Sequence, residues 1–173
     1  MGAAKALQIY RALMAHTRQL ARTVSVKRLL FYSNFIDTKD QWSTNEFQKH
    51  LQQGDDLGER MQQAFSLAFE QHQKVVIIGS DCASLTADIL SEAFDLLDQH
   101  PFVVGPAIDG GYYLLGMNRF TPELFDNMTW STDTVLSDTL QRIQSLEATY
   151  ALLPQLSDID FEEDWEKYGW ELP

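Results

Sequence analysis

The segment Lys74–Gly79 constrains the fold more than any other part of the sequence. Between its end residues stand four consecutive β-branched apolar side chains, with no polar residue among them. A strand of this composition has both faces buried, which is typical of a parallel sheet covered by helices on either side. The sequence therefore predicts an α/β fold.

Helical and strand patterns alternate along the rest of the chain. Apolar residues recur every three or four positions in the helical segments, and short apolar runs bounded by glycine, proline or polar residues mark the strands. We predict one domain over residues 1–173, a three-layer α/β/α arrangement with a mostly parallel sheet. The predicted helices lie at 6–20, after Gly54, after a Thr86 cap, after a Ser131 or Thr132 cap, and at 161–168, and the predicted strands at 29–32, 74–79, 102–106, 112–115 and 150–154.

The net charge of −12 limits the partners of the chain. Non-specific binding to nucleic acid or to an anionic membrane depends on Lys and Arg side chains, so we expect neither partner. Cys82 is the only cysteine, which excludes an internal disulfide. No apolar run is long enough for a membrane span and no signal peptide is visible, so we expect a cytoplasmic protein. An anionic substrate would need a divalent cation to screen the repulsion.

Aspartates follow three of the predicted strands. Asp81 comes after the strand 74–79, Asp109 after the strand 102–106, and Asp158 and Asp160 after the last strand. Because the carboxyl ends of parallel strands meet at one edge of a sheet, these carboxylates are expected to converge. Carboxylate oxygens suit Mg²⁺ or Mn²⁺, which can bridge to a diphosphate. Each aspartate alone is also explained as a loop, capping or solvated residue.

Further candidates for binding and catalysis lie outside the strand ends. Arg60, in the segment that contains Gly54 and Asp56, could bind a phosphate, or it could pair with Asp56 or Glu59 on its own helix. Trp130 is either a core aromatic residue or a platform for a sugar or base. The remaining candidates are Asp133, which either is a catalytic base or favours a helix dipole, and Gly110 and Gly111, which also form a common turn.

Five ordered motifs carry a family likeness. Together they resemble a bacterial family of uncharacterised glycosyltransferase-like proteins, whose wider relatives are nucleotide-sugar transferases and guanylyltransferases. The resemblance implies the GT-A (nucleotide-diphospho-sugar transferase) fold and a metal-assisted transferase site. The motifs are Gly-Asp-Asp-Leu-Gly-Glu-Arg-Met (54–61), Ile-Gly-Ser-Asp-Cys-Ala-Ser-Leu-Thr (78–86), Gly-Pro-Ala-Ile-Asp-Gly-Gly-Tyr-Tyr-Leu-Leu-Gly (105–116), Trp-Ser-Thr-Asp-Thr-Val-Leu (130–136) and Asp-Ile-Asp (158–160).

The same resemblance assigns roles to individual positions. It implies that Asp81 binds the metal and that Asp160, with Asp158, completes the metal site. Asp109 with the two glycines after it is similar to the loop that shapes the acceptor side, and Asp133 is similar in position to a general base. Members of the family begin with a strand and a basic loop, whereas this chain begins at the helix that follows them. We therefore expect a sheet that lacks its first strand, with the position left empty or filled by another chain or a rearranged strand.

Three functions remain open from the sequence. The first is transfer of a sugar from a nucleotide-sugar donor with a divalent cation. The second is a nucleotidyltransferase that joins a nucleoside triphosphate to a phosphorylated acceptor, and it requires a basic loop for the triphosphate. The third is a non-catalytic protein that keeps the fold as a binding or partner subunit, and the absent strand favours it.

Overall fold

The computed structural model describes residues 2–172 and alternates helices with strands. The predicted α/β fold is confirmed, and the strand at 74–79 is present as Val75–Ile78. The helices are α1 (Ala3–Thr23), α2 (Leu57–Phe69), α3 (Ala87–Leu96), α4 (Val135–Ser145) and α5 (Glu162–Tyr168), with a short 3-10 helix at Pro122–Leu124, and the strands are β1 (Leu29–Tyr32), β2 (Gln48–Leu51), β3 (Val75–Ile78), β4 (Phe102–Pro106), β5 (Tyr112–Met117) and β6 (Tyr150–Leu152).

The strands form two sheets. β1 and β2 make a parallel pair, and the other strands form a four-stranded sheet in the order β3-β5-β4-β6. β5 runs antiparallel to both of its neighbours, while β4 and β6 are parallel. The antiparallel direction of β5 follows from the short turn after β4, because a connection of this length can join only antiparallel strands. The four-stranded sheet is therefore mixed.

The four-stranded sheet separates two hydrophobic clusters. On one face Val103 and Leu114 pack with Leu90 and Leu97, from α3 and its end. On the other face the packing centres on Leu115, against α2 and α4. Every residue of β4 is buried. Helices on both faces and a buried sheet between them form the three-layer arrangement that the sequence predicts.

The β1–β2 pair was only half predicted. β1 matches the predicted strand, but Gln48–Leu51 has no strand pattern, since three of its four residues are polar. β2 forms because it pairs with β1 across a loop, and not because its own residues have a high strand propensity, as expected for an edge strand. No residue of β1 or β2 is fully buried.

Two helix starts tested the predicted caps. Thr86 caps α3 as predicted, with its hydroxyl accepting a hydrogen bond from the Ile89 amide at 3.3 Å. The predicted Ser131 or Thr132 cap of α4 is wrong, because that helix begins at Val135 and follows Thr134, whose side chain makes no capping bond. Ser131 has a φ of 60°, outside the extended conformation that a cap requires.

None of the helices described for residues 2–172 combines the length and the apolar character that crossing a bilayer demands.

Candidate active site

Four aspartates meet at one end of a large cleft. Asp81 follows β3, Asp109 lies in the turn between β4 and β5, and Asp158 and Asp160 follow β6. All four line the same cavity, whose volume is about 2060 Å³. We refer to these four residues as the acidic cluster. The structure thus brings together the side chains that the sequence predicted to converge.

Backbone hydrogen bonds hold the loops of the acidic cluster against one another. The Ile159 amide donates to the Asp81 carbonyl at 3.0 Å, which fixes the loop after β6 beside the loop after β3. The Ile108 amide donates to the Leu156 carbonyl at 2.9 Å, which joins the β4–β5 turn to the same loop. The cluster is therefore assembled by three loops that the sheet positions at a common edge.

Asp81 is open to the cleft, and its carboxylate folds back over Gly79. A Cβ atom placed at Gly79 would lie 2.6 Å from Asp81 Oδ1, so only glycine allows this approach. Loss of hydration raises the pKa of Asp81, and the charges of Asp160 and Asp109 raise it further, against an opposing backbone hydrogen bond. Asp81 is thus a carboxylate whose ionised form the surrounding protein disfavours.

Asp158 is the most perturbed member of the cluster. Burial, followed by the charges of Asp81, Asp109 and Asp160, raises its pKa to about 7. Its buried Oδ1 atom has no hydrogen-bond partner among residues 2–172. An unsatisfied buried carboxylate oxygen beside like charges is unstable unless a proton or a cation neutralises it.

Asp109 and Asp133 are brought together through Gly110. Gly110 has a φ of 92°, and a Cβ atom there would lie 2.1 Å from the Asp133 carbonyl oxygen. The Leu136 amide donates to the Gly110 carbonyl at 2.8 Å, and Asp109 Oδ1 accepts from the Gly111 amide at 2.9 Å. Gly110 is therefore required by the backbone of this turn, and Asp133 and Gly111 line the cleft with Asp109.

The segment 54–60 makes mainly local contacts. Asp56 caps α2 by accepting a hydrogen bond from the Glu59 amide at 2.8 Å. The ion pair of Arg60 with Asp56 or Glu59, one of the two alternatives from the sequence, is not formed. Arg60 Nε instead donates to the Gly54 carbonyl at 3.1 Å, and the side chain lines the cleft. Gly54 and Asp56 do not belong to the residues within 2–172 that line the cleft.

Trp130 forms part of the cleft wall. The ring is half-buried, lies over Gly58 and stacks with Phe125 at 6.4 Å between centroids. A Cβ atom at Gly58 would lie 2.3 Å from Trp130 Nε1, so the glycine makes room for the indole. The packing agrees with the interpretation as a core aromatic residue, and the role as a platform for a sugar or base stays a prediction for a ring that also lines the cleft.

A second polar cluster was missed by sequence reasoning. Asp40 accepts hydrogen bonds from the Tyr32 hydroxyl and from Lys49 Nζ, the latter at 2.6 Å, and we call these residues the neutral cluster. Tyr32 and Asp40 line the cleft. The two hydrogen bonds join residues that are eight and nine positions apart and depend on the β1–β2 pairing, and no local pattern in the sequence signals them.

The acidic cluster is not a complete metal cage. Among residues 2–172 no group of three or more His, Cys, Asp or Glu side chains is arranged to hold a metal ion. The chemistry still fits Mg²⁺ or Mn²⁺, which are commonly bound by one or two carboxylates together with substrate phosphates and water. The partnerless Oδ1 of Asp158 and the neighbouring Asp81 are suitable donors for such a site.

The family is decided by a sequence profile. Residues 15–132 match the family described as an uncharacterized protein conserved in bacteria, DUF2064. The chain belongs to this family. No protein of curated function is significantly similar to it.

Solved structures share the fold of this DUF2064 member. A candidate nucleotide-diphospho-sugar transferase from Desulfovibrio desulfuricans G20 is similar with a TM-score of 0.84 and 28% identity, over 92% of this chain and 72% of that one. Rv0371c from Mycobacterium tuberculosis H37Rv, in complex with manganese, has a TM-score of 0.60 and 12% identity, over 90% of this chain and 84% of that one. A second structure of Rv0371c has a TM-score of 0.62 and 11% identity, over 91% and 83%. The predicted nucleotide-diphospho-sugar transferase fold is thus confirmed.

Proposed function

We propose that this DUF2064 member binds a nucleotide-sugar through a divalent cation at the acidic cluster and transfers the sugar to an acceptor hydroxyl. The observation that carries the proposal is the uncompensated charge of the cluster. Four carboxylates line one end of the cleft, and Asp158 has a pKa raised to about 7 and a buried oxygen without a partner. A cation with a diphosphate would relieve both the repulsion and the missing contact.

The fold supports the choice of substrate. The similar Desulfovibrio protein is described as a candidate nucleotide-diphospho-sugar transferase, and the similar Rv0371c was crystallised with manganese. A net charge of −12 would repel a free diphosphate, so a cation is needed for any anionic donor to enter this cleft. Arg60 and Trp130 line the cleft. Arg60 provides a positively charged guanidinium group and Trp130 an aromatic face for the nucleotide part of the donor.

In the proposed reaction Asp81 and Asp158 would hold the cation, with Asp160 beside them. A cation bound there supplies Lewis-acid stabilisation of the leaving diphosphate. Asp109 or Asp133 accepts the proton of the acceptor hydroxyl, whose oxygen forms the new bond to the anomeric carbon of the sugar. The bond between that carbon and the diphosphate oxygen breaks, and its electron pair leaves with the nucleoside diphosphate.

Isothermal titration calorimetry with UDP-, GDP-, ADP- and CDP-sugars tests the proposal. We expect one of these donors to bind only when Mn²⁺ or Mg²⁺ is present. Asp81→Asn and Asp158→Asn should each weaken that binding at least roughly tenfold, because each removes a charged ligand. Asp95→Asn, on the exposed side of α3, is the matched control and should bind like the unchanged protein.

Two results would point elsewhere. Release of pyrophosphate from GTP or CTP, without turnover of any nucleotide-sugar, would identify a nucleotidyltransferase. No binding of any nucleotide with either cation, in a protein shown to be folded by circular dichroism, would remove the transferase proposal.

A further inference from the structure

Tyr113 interrupts the alternation of side chains along β5. Tyr112 packs against the hydrophobic cluster on the α2 and α4 face of the sheet, whereas Tyr113 and Leu114 both belong to the cluster on the α3 face. Successive residues of a regular strand point to opposite faces, so two neighbours on one face indicate an irregular backbone. The side chain of Tyr113 therefore points to a face where a regular strand would not place it.

A β-bulge explains this orientation. In the pairing of β4 with β5, Gly105 lies opposite Leu114 and Pro106 lies opposite Tyr112, so Tyr113 is an extra residue without a partner on β4. A bulge changes the direction of the side chains around the extra residue, and bulges are frequent next to active sites. The bulge therefore directs the Tyr113 ring onto the α3 face, close to the turn between β4 and β5.

Gly105 makes room for the redirected ring. A Cβ atom at Gly105 would lie 2.4 Å from Tyr113 Cζ, which is too close for any side chain. The ring is 2% exposed and belongs to the same hydrophobic cluster as Cys82, in the loop after β3, and Leu153, directly after β6. A phenylalanine would fill this space equally well, so packing alone does not explain the hydroxyl group.

The hydrogen bonds of Tyr113 reach two loops of the acidic cluster. Its hydroxyl donates to the Pro154 carbonyl at 2.9 Å, in the loop that leads from β6 to Asp158. Its carbonyl accepts from the Gly79 amide at 3.0 Å, in the segment that leads from β3 to Asp81. The third loop, the β4–β5 turn, continues directly into the strand that contains Tyr113. One residue therefore connects all three loops of the acidic cluster.

The hydroxyl of Tyr113 remains a donor at neutral pH. Burial raises the pKa of Tyr113, and electrostatic interactions with Cys82, Glu92 and Asp158 raise it further. The proton therefore stays on the hydroxyl, and the hydrogen bond to the Pro154 carbonyl persists.

We propose that Tyr113 is a positioning residue for the acidic cluster: its hydroxyl fixes the loop after β6 relative to the loop after β3 and so holds Asp158 beside Asp81. A second consequence, which rests on the proposed function, is that this spacing sets the affinity of the cluster for a divalent cation. Residues that hydrogen-bond a metal ligand directly change metal affinity roughly 10–100-fold. Tyr113 acts on the backbone before Asp158, so we expect a smaller effect.

Tyr113→Phe removes the hydroxyl and keeps the ring, and Tyr32→Phe is the matched control. Each variant loses one hydroxyl donor, but the bond of Tyr32 lies in the neutral cluster. In Mn²⁺ titrations followed by electron paramagnetic resonance we expect Tyr113→Phe to bind at least roughly threefold more weakly than the unchanged protein, and Tyr32→Phe to bind equally well.

A double-mutant cycle shows whether Tyr113 acts through Asp158. In the Asp158→Asn background, Tyr113→Phe should cause no further loss of Mn²⁺ affinity, because the side chain that it positions is no longer a charged ligand. A further loss as large as in the unchanged background would overturn the assignment.

Hydrogen exchange of the Ile159 amide tests the positioning without any cation. This amide donates to the Asp81 carbonyl and so reports whether the two loops stay together. We expect it to exchange at least roughly threefold faster in Tyr113→Phe than in Tyr32→Phe. Equal exchange in the two variants would overturn the proposal, and so would unchanged Mn²⁺ affinity in Tyr113→Phe. If the unchanged protein binds neither Mn²⁺ nor Mg²⁺, the proposed function fails, and the exchange of Ile159 alone decides the role of Tyr113.

Discussion

The acidic cluster and the neutral cluster lie along the same cleft but treat their carboxylates in opposite ways. In the neutral cluster the Asp40 and Lys49 side chains are 17% and 6% exposed and form an ion pair at 2.6 Å. In the acidic cluster no member has an ion-pair partner within the part of the chain that is described. The charge of Asp40 is compensated by another side chain of the protein, whereas the charges of the acidic cluster are not.

The pKa directions express the same difference. Burial alone would raise the pKa of Asp40, but hydrogen bonds from Lys49, Tyr32 and the Trp42 amide outweigh it, so the net pKa is lowered. Burial and neighbouring carboxylates raise the pKa of Asp158 to about 7. The protein neutralises the Asp40 carboxylate but leaves the carboxylates of the acidic cluster beside one another without a compensating charge. It therefore keeps the acidic cluster at the expense of stability. Such strain is typical of sites that a ligand completes.

The largest expected effect is a gain in stability from Asp158→Asn. The pKa of Asp158 is about 7 in the folded state and about 3.9 in the unfolded state. Ionisation of this carboxylate therefore destabilises the native state relative to the unfolded state. At pH 8 without divalent cations we expect the variant to have a free energy of unfolding about 2 kcal/mol higher, after discounting for solvent screening of a partly exposed group. Urea unfolding at pH 8 measures it.

The sign of that effect depends on pH. Below the unfolded pKa both states bind the proton, so the gain from Asp158→Asn should disappear below about pH 4, grow between about pH 4 and about pH 7, and level off above that range. Asp95→Asn, at an exposed position of α3, should show no such trend. A loss of stability in Asp158→Asn at pH 8 would show that the acidic cluster is compensated after all.

The opposite response is expected for Asp40→Asn. The carboxylate of Asp40 accepts from Lys49, Tyr32 and the Trp42 amide, and the amide side chain leaves the Lys49 cation without its charged partner. We expect a loss of about 1.5 kcal/mol at pH 8, the size of a charge-assisted hydrogen bond. Because the pKa of Asp40 is lowered, the contribution of its carboxylate should fade as the pH falls through that pKa. Asp55→Asn is the exposed control, and equal losses in both variants would contradict the comparison.

The sequence predicts much of the acidic cluster and little of the neutral cluster. Asp81, Asp109 and Asp158 lie in the loops that follow apolar strands, and the sheet brings these strand ends together. Asp40 lies in a loop and Lys49 in a strand that has no strand pattern. Their contact depends on the β1–β2 pairing, which is a tertiary event that local propensity does not determine.

The fold as a whole also combines features that local sequence determines with features that depend on tertiary contacts. The four-stranded sheet confirms the layered arrangement. The continuous apolar run of β3 predicts burial on both faces, which is wrong in the structure, because all four residues are only half-buried and line the cleft. The mixed direction of that sheet depends on the turn at 109–111, where φ at Gly110 is 92°. The late start of α4 at Val135 depends on contacts of the preceding turn with Gly110, which the sequence does not reveal.

A smaller loss is expected from Tyr32→Phe. The variant removes the hydroxyl that donates to Asp40 and keeps the ring against Lys49, whose Nζ lies 5.7 Å from the ring centroid. We expect a loss of about 1 kcal/mol in the free energy of unfolding, typical of one hydrogen bond. Tyr10→Phe, on the exposed side of α1, is the matched control. A loss no larger than that of the control would mean that Lys49 alone compensates Asp40.

The smallest effect is expected from Gly79→Ala, which tests the geometry of the acidic cluster rather than its charge. The added Cβ atom would lie 2.6 Å from Asp81 Oδ1, so the carboxylate must rotate away while every charge remains. If Asp81 binds the cation as proposed, Mn²⁺ affinity should fall roughly threefold, well short of the tenfold loss that corresponds to about 1.4 kcal/mol, because a rotated carboxylate can partly return. Gly2→Ala, where a Cβ atom meets nothing within 4 Å, is the matched control. Unchanged Mn²⁺ affinity in Gly79→Ala, together with weakened affinity in Asp158→Asn, would move the cation away from Asp81 and toward the loop after β6.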